Sequence, residues 1–206
     1  MQHDFVVEEW LKKSPFVLFQ HWFADAKEKE AHYPDSVTLA TFSPQTGRVM
    51  ARIMLLKSFD ERGFCFFTNL QSNKGNDLGA HPQAALCFYW KSCQRQVRVE
   101  GVVEKTSDEE ADAYFQTRPY ISQIGAWASQ QSKALESRAL FEAKVEALQR
   151  QYPEGSVPRP LHWSGYRLVP NRIEFWEERP FRLHERMEFS RASAVDHSWH
   201  AQRLYP

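Results

Sequence analysis

Between Gln94 and Lys105 the chain sets Val97, Val99, Gly101 and Val103 against Gln96, Arg98 and Glu100 in strict alternation. A period of two puts each set on its own side of an extended chain, so this segment is a strand with one apolar and one polar face. It has company. Ser36–Ser43 and Arg48–Phe59 are rich in β-branched and apolar residues and flank Pro44-Gln45-Thr46-Gly47, which reads as a hairpin. Gly63–Asn69, Ala84–Trp90, Gly165–Val169, Arg172–Trp176 and His184–Arg191 are further strand candidates. Helical segments interrupt them. Ser14 followed by Pro15 is a helix start running to about Ala31. Ser107-Asp108-Glu109-Glu110 is a capping box for a helix that Arg118-Pro119 stops near Thr117. Ser132–Tyr152 is the longest helical run, with Phe141, Val145, Leu148 and Tyr152 as one apolar stripe, and Ser156–Pro160 is a connector. Strands early, with helices inserted between later strands, predict a mainly β protein: a predominantly antiparallel barrel with peripheral α-helices.

At 206 residues one well-filled core is the expectation. Residues 1–14 are expected to form a flexible N-terminal segment and 15–206 a single domain. Lys+Arg 26 against Asp+Glu 26 lacks the basic excess of a nucleic-acid binder, so any anion site must be local. Cys65, Cys87 and Cys93 are odd in number and lack the paired short spacings of a zinc site, which suggests reduced thiols. The N-terminus carries acids where a signal peptide needs a basic region, and no apolar run approaches membrane-spanning length; a cytoplasmic protein is expected. His197 and His200 form an H-x-x-H pair in a polar tail without a carboxylate or Cys partner at ligand spacing, so no metal is expected there.

Residues 172–186 read Arg-Ile-Glu-Phe-Trp-Glu-Glu-Arg-Pro-Phe-Arg-Leu-His-Glu-Arg, and one strand with its turn is expected to place Trp176, Arg182, His184 and Arg186 together. An aromatic face, fixed cations and an imidazole suit a flat anionic cofactor and a phosphorylated ring. Arg52 and Lys57 are five apart on one expected strand, so alternation sends them to opposite faces and to different anions. Ser72-Asn73-Lys74-Gly75 reads as a helix start, whose free N–H groups and dipole favour an anion. Gln131 and Ser132 precede the long helical run, where Ser132 would be an N-cap.

Arg52-Ile53-Met54-Leu55-Leu56-Lys57, Phe67-Thr68-Asn69-Leu70, Arg118-Pro119 with Ser122-Gln123-Ile124-Gly125-Ala126-Trp127, Gln131-Ser132 and the closing Arg203-Leu204-Tyr205-Pro206 occur in that order. Together they resemble the pyridoxine/pyridoxamine 5'-phosphate oxidases, from about Pro15 to the C-terminus. The resemblance implies a split β-barrel, a Greek-key-like antiparallel barrel that binds FMN, as a homodimer with two flavins at the interface. It implies oxidation of pyridoxamine or pyridoxine 5'-phosphate to pyridoxal 5'-phosphate by dioxygen, with release of hydrogen peroxide. By the same resemblance Arg52, Phe67, Thr68, Lys74, Gln96, Gln131, Ser132, Trp176 and Arg186 contact FMN, the last pair from the partner chain. Lys57, Tyr114, Arg118 and Ser122 would hold the substrate phosphate. Arg182 and His184, two apart and so on one side of an extended segment, would grip the pyridine ring over the flavin. Two departures stand out: Asn73 lies where many relatives carry a basic residue, and residues 1–14 lack the Arg-Arg-x-Tyr segment that closes over substrate in many of them. The alternatives are a same-fold FMN oxidase of the phenazine-biosynthesis type and a non-catalytic FMN- or pyridoxal-phosphate-binding protein.

Overall fold

The computed structural model describes residues 7–193, 196 and 198–206. Nine strands and six α-helices follow in the order α1 (Val7–Trp10), α2 (Pro15–Lys29), β1 (Ser36–Ser43), β2 (Arg48–Leu55), β3 (Ser58–Asp60), β4 (Gly63–Asn69), α3 (Asn73–Ala80), β5 (Gln83–Trp90), β6 (Arg95–Lys105), α4 (Asp108–Gln116), α5 (Tyr120–Ala128), α6 (Arg138–Gln151), β7 (Trp163–Glu177), β8 (Glu185–Ser190) and β9 (His200–Arg203) among the described residues. The caps expected from sequence are present. The Ser14 hydroxyl accepts from the Phe16 N–H with Pro15 in the first helical turn, and Ser107 and Glu110 form a reciprocal capping box.

All strand pairings are antiparallel, in the order β2-β1-β5-β6-β7-β4-β3, with β8 added to β7 and β9 to β8. β7 pairs with β6 along one edge; on its other edge Trp163–Leu168 pair with β4 and Arg172–Glu177 with β8. One long strand is therefore the branch point of a single nine-stranded sheet, its second edge divided between β4 and β8. Inside lie Leu39, Leu86, Phe88, Val97, Val99, Phe64, Phe66, Ile173 and Phe175, all at most 1% exposed, and α2 closes one end with Phe19 and Trp22. Burying each such side chain contributes roughly 1.5–3 kcal/mol, so this layer dominates the apolar term of folding. Phe115, Ile124, Val157 and Trp163 form a smaller second cluster under α4–α6. Val7, at 1% exposure, joins the main core from the short α1.

Several expected boundaries differ, each for a physical reason. Arg48–Phe59 is not one strand: it breaks at Leu56-Lys57, where the Leu56 N–H reaches Asp35 O and the Lys57 N–H reaches Cys65 O at 2.9 Å. The chain turns a barrel corner there, leaving β1 for β4. Gly165–Val169 and Arg172–Trp176 are one strand, because Pro170 stays in register opposite Gly101 and a bulge at Glu100/Gly101 absorbs Asn171. A Cβ on Gly101 would lie 2.2 Å from Val169 O, so only glycine permits that approach. The long helical run starts at Arg138 with Ser137 as N-cap, and Ser132 instead adopts a left-handed turn at φ 74°. Helix α5 and strand β9 carry no clear local signal in the sequence and form only in the tertiary fold. His200 lies in β9 and His197 lies outside the described residues.

Candidate functional site

The turn from β4 into α3 buries a cation. Ser72 caps α3 by accepting from the Gly75 N–H, and Gly75 sits so close to the preceding turn that a Cβ would lie 2.3 Å from Leu70 O. Lys74, 9% exposed, points back under this turn. Its Nζ donates to Gln131 Oε1 at 2.8 Å, Thr68 Oγ1 at 3.0 Å and Ser72 Oγ at 3.3 Å. No carboxylate among the described residues pairs with it. Burial, with the nearby Arg52 charge adding to it, pushes the Lys74 ammonium down to about 8. Arg52 donates to Thr41 Oγ1 at 2.7 Å and Leu39 O at 3.3 Å, and the Thr41 hydroxyl in turn donates to the buried Asp77 carboxylate at 3.1 Å. Burial lowers the Arg52 guanidinium, and Asp77 opposes that shift. Ser132 accepts from the Asn73 N–H at 3.2 Å. Arg52, Thr68, Lys74, Gln131 and Ser132 thus converge on the start of α3, as expected, although Gln131 and Ser132 arrive from a turn and not from a helix cap. Sequence reading missed Thr41 and Asp77, since a threonine and an aspartate far apart in the chain carry no joint signal.

A cavity of about 490 Å³ opens beside this cluster, lined by Lys57, Phe67, Tyr114, Arg118, Ser122 and Trp163 among others. Successive residues on β4 point to opposite sides, so Phe67 faces this cavity while Thr68 holds Lys74. Phe67 stacks on Tyr114 at 4.2 Å and on Trp163 at 5.3 Å. Arg118 lies over the Trp163 ring at 4.7 Å and has a buried terminal nitrogen without a hydrogen-bond partner. Lys57 pairs with Asp35 at 3.2 Å, both side chains about a quarter exposed. Tyr114, Arg118 and Ser122 do come to one side, but through two helices and the Pro119 turn between them. Lys57 and Arg52 do serve separate clusters, but the reason is the barrel corner; the alternation argument fails because Lys57 is not on β2.

The third group stands apart. Tyr89, Gln96, Trp176 and Arg186 are direct cross-strand partners along β5, β6, β7 and β8. Arg52 pairs with Leu39, Leu39 with Leu86, and Leu86 with Val99. Val99 is three residues from Gln96, so the Gln96 row faces away from the side that carries Arg52. Within one chain these two groups lie on opposite faces. Arg186 is held by Glu174 at 2.9 Å and by Tyr205 O at 2.9 Å. His184 packs on Trp176 at 4.6 Å, and its Nδ1 accepts from the Arg179 N–H at 3.2 Å, so the neutral ring carries its proton on Nε2. The segment through Arg182 is not extended: Phe181 and Arg182 have φ of 57° and 62° in a 3₁₀ turn, and His184 precedes β8. The two-apart, same-side argument for Arg182 and His184 therefore does not hold. His184, partly buried, remains beside Trp176, and Arg182 lies exposed on the turn that precedes it.

The family model described as pyridoxamine 5'-phosphate oxidase matches residues 23–152, and the pyridoxine 5'-phosphate oxidase C-terminal dimerisation region matches residues 163–206. A pyridoxine/pyridoxamine 5'-phosphate oxidase from Azorhizobium caulinodans is 55% identical over 93% of this chain and 90% of its own length. One from Burkholderia lata is 53% identical over 93% of this chain and 89% of its own. Among solved structures, PhzG from Burkholderia lata in complex with tetrahydrophenazine-1-carboxylic acid superposes with a TM-score of 0.86 at 30% identity, covering 94% of this chain and 93% of that one. A pyridoxamine 5'-phosphate oxidase-related, FMN-binding protein from Nostoc punctiforme shares the fold, with a TM-score of 0.74 at 18% identity over 94% and 99% of the two chains. Matches across both parts of the chain, at more than half identity to the curated relatives, make it an oxidoreductase of the pyridoxine/pyridoxamine 5'-phosphate oxidase family.

Proposed function

We propose that this protein oxidises pyridoxamine or pyridoxine 5'-phosphate to pyridoxal 5'-phosphate, with FMN as cofactor and dioxygen as acceptor. The observation that carries this reading is a pair of adjacent cation clusters, each with a cation that has no carboxylate partner among the described residues: Lys74 in one and Arg118 in the other. Two such clusters suit two phosphates. Arg52, Lys74 and Ser132 would hold the FMN phosphate, with Thr68 and Gln131 fixing the lysine and Phe67 dividing the two sites. The chain has no G-x-G-x-x-G loop for a dinucleotide pyrophosphate, which favours FMN over FAD. Lys57, Tyr114, Arg118 and Ser122 would take the substrate phosphate in the neighbouring cavity.

Gln96, Trp176 and Arg186 face away from that side, so they can line a flavin only in a second copy of the chain. This supports a homodimer with composite sites, in keeping with the dimerisation-region match at residues 163–206. His184, packed on Trp176, and Arg182 on the turn before it would then orient the pyridine ring supplied by the other chain's phosphate cluster. When bound, FMN supplies a hydride acceptor that dioxygen reoxidises with formation of hydrogen peroxide. The protein's share is orientation: it must hold the C4' carbon against the flavin and shield the ring from water.

An anaerobic absorbance spectrum tests the reading. The FMN-loaded protein is expected to bleach when pyridoxamine 5'-phosphate is added and to recover with peroxide release on admitting air. No bleaching with this substrate, together with bleaching by a reduced phenazine carboxylic acid, would favour the second reading that the PhzG similarity raises. Four potential phosphate ligands around one cavity weigh for the phosphorylated substrate.

FMN affinity should also depend on pH. Lys74 titrates near 8 without an anion, and a phosphate dianion beside it stabilises the charged form. Binding above pH 8 must therefore take up a proton, and the affinity for FMN is expected to fall by up to about tenfold per pH unit there. A flat profile from pH 7 to 10 by fluorescence titration would contradict the placement of Lys74 on the phosphate.

A further inference from the structure

We propose that Trp163 is a positioning residue for Arg118, presenting its guanidinium to the substrate phosphate without neutralising it. The inference rests on the reading above that this cavity takes a phosphorylated substrate. Elsewhere in this chain the buried arginine side chains of Arg159 and Arg167 are oriented by carboxylates, Arg159 by Asp108 and Asp112 and Arg167 by Glu110. Arg118 has no such partner among the described residues. What it has is aromatic: Trp163 at 4.7 Å and Phe115 at 5.5 Å. Burial lowers its pKa, with Tyr114 opposing that shift, which agrees with a cation that no carboxylate compensates. A ring face attracts a guanidinium through its quadrupole, and this fixes the cation while leaving its full charge for an incoming dianion.

The ring is itself fixed. Trp163, 7% exposed, stacks on Phe67 with an interplanar angle of 12° and meets Phe115 edge-on at 69°. Its backbone opens β7 opposite Asn69, and its carbonyl accepts from Arg159 at 2.9 Å. Arg159 also binds Asp108 and Asp112 on α4, the helix that ends just before Arg118. One arginine therefore ties the ring to the helix that carries the ring's cation. Pro119 restricts the backbone of Arg118, and the Arg118 N–H donates to Phe115 O at 3.2 Å, so little freedom remains except in the side chain that Trp163 holds. Lys57 across the cavity is held differently, by Asp35, and that charge must be shared with any substrate phosphate.

The test is a double-mutant cycle on the FMN-loaded enzyme with pyridoxamine 5'-phosphate, using Trp163→Leu, Trp163→Phe, Arg118→Ala and the Leu/Ala pair. Trp163→Leu is expected to raise KM about five- to tenfold, and to raise the inhibition constant of inorganic phosphate equally, with kcat and FMN affinity within about twofold. Trp163→Phe, which keeps a ring face, is expected to restore most of the loss. In the Arg118→Ala background, Trp163→Leu should add less than about twofold, because the cation it positions is gone. Equal losses in both backgrounds, or a loss carried by kcat or by FMN release, would show a packing role and overturn the inference. Should Trp163→Leu fail to fold by thermal melt, the same cycle with Trp163→Phe decides, with a coupled loss of about two- to threefold supporting the inference and additivity overturning it. A wild-type enzyme that neither turns over the phosphorylated amine nor binds inorganic phosphate would overturn the underlying reading, and this inference with it.

Discussion

Lys74→Met is expected to produce a protein that is more stable without cofactor and nearly unable to retain FMN. The two effects have one cause. A lysine depressed from 10.5 to about 8 lowers folding stability, on the order of 3 kcal/mol below pH 8, and this penalty shrinks as pH rises from 8 toward 10.5, where the unfolded chain still binds the proton. Methionine removes the buried charge at similar length but also leaves Gln131 and Thr68 without their donor, so a net gain of roughly 1–2 kcal/mol in the cofactor-free protein is expected. Each charge-assisted phosphate contact contributes about 1.5–3 kcal/mol, so the FMN dissociation constant should rise by about 10- to 150-fold. Arg52→Ala should match that loss of FMN, whereas Lys57→Ala should leave the protein yellow and raise KM for pyridoxamine 5'-phosphate. Urea melts and flavin fluorescence titration measure both quantities. A Lys74→Met protein that is destabilised and still holds FMN would show that the lysine is a structural strut.

The second large effect is expected at Arg182. Lysine in its place keeps the charge and the left-handed backbone demand, since φ of 62° strains any side chain with a Cβ. What changes is the planar fork. If Arg182 orients the pyridine ring, Arg182→Lys should fold and bind FMN as before yet lose more than tenfold in kcat/KM, at least about 1.4 kcal/mol of transition-state stabilisation. An exposed arginine with no role would tolerate the exchange within about 0.5 kcal/mol of stability and with unchanged kinetics. Steady-state peroxide release at matched flavin content separates the two. The neighbouring left-handed Phe181, 93% exposed, adds weight to the functional outcome, because two consecutive strained residues on a surface turn have no packing reason to persist.

Strand, cap and turn chemistry were legible in the chain because they are local. Alternation marked β6 to within a residue, Ser14-Pro15 and the Ser107–Glu110 box marked two helix starts, and Gly63–Asn69 matched β4 at both ends. Ordered motifs spread along the chain indicated the family and, through it, the residues that gather at α3 and around the cavity.

What the sequence could not decide were features set by contacts between distant segments. Gly165–Val169 and Arg172–Trp176 read as two strands until the bulge opposite Glu100/Gly101 joins them, and Ser132 reads as an N-cap until the turn beside Lys74 requires it elsewhere. Lys57 reads as an alternating strand residue until barrel closure turns the chain at Leu56. Trp163, Thr41, Asp77 and Asp35 acquire meaning only from what the fold packs against them. The sequence by itself determined most of the strands, the starts of α2 and α4 and which side chains could meet an anion, since these follow from periodicity and side-chain chemistry. Only the tertiary structure decided that Arg52 and the Gln96–Trp176–Arg186 row face opposite ways, because the side a residue faces depends on strand register across the whole sheet, a sum of non-local pairings that no window of sequence contains.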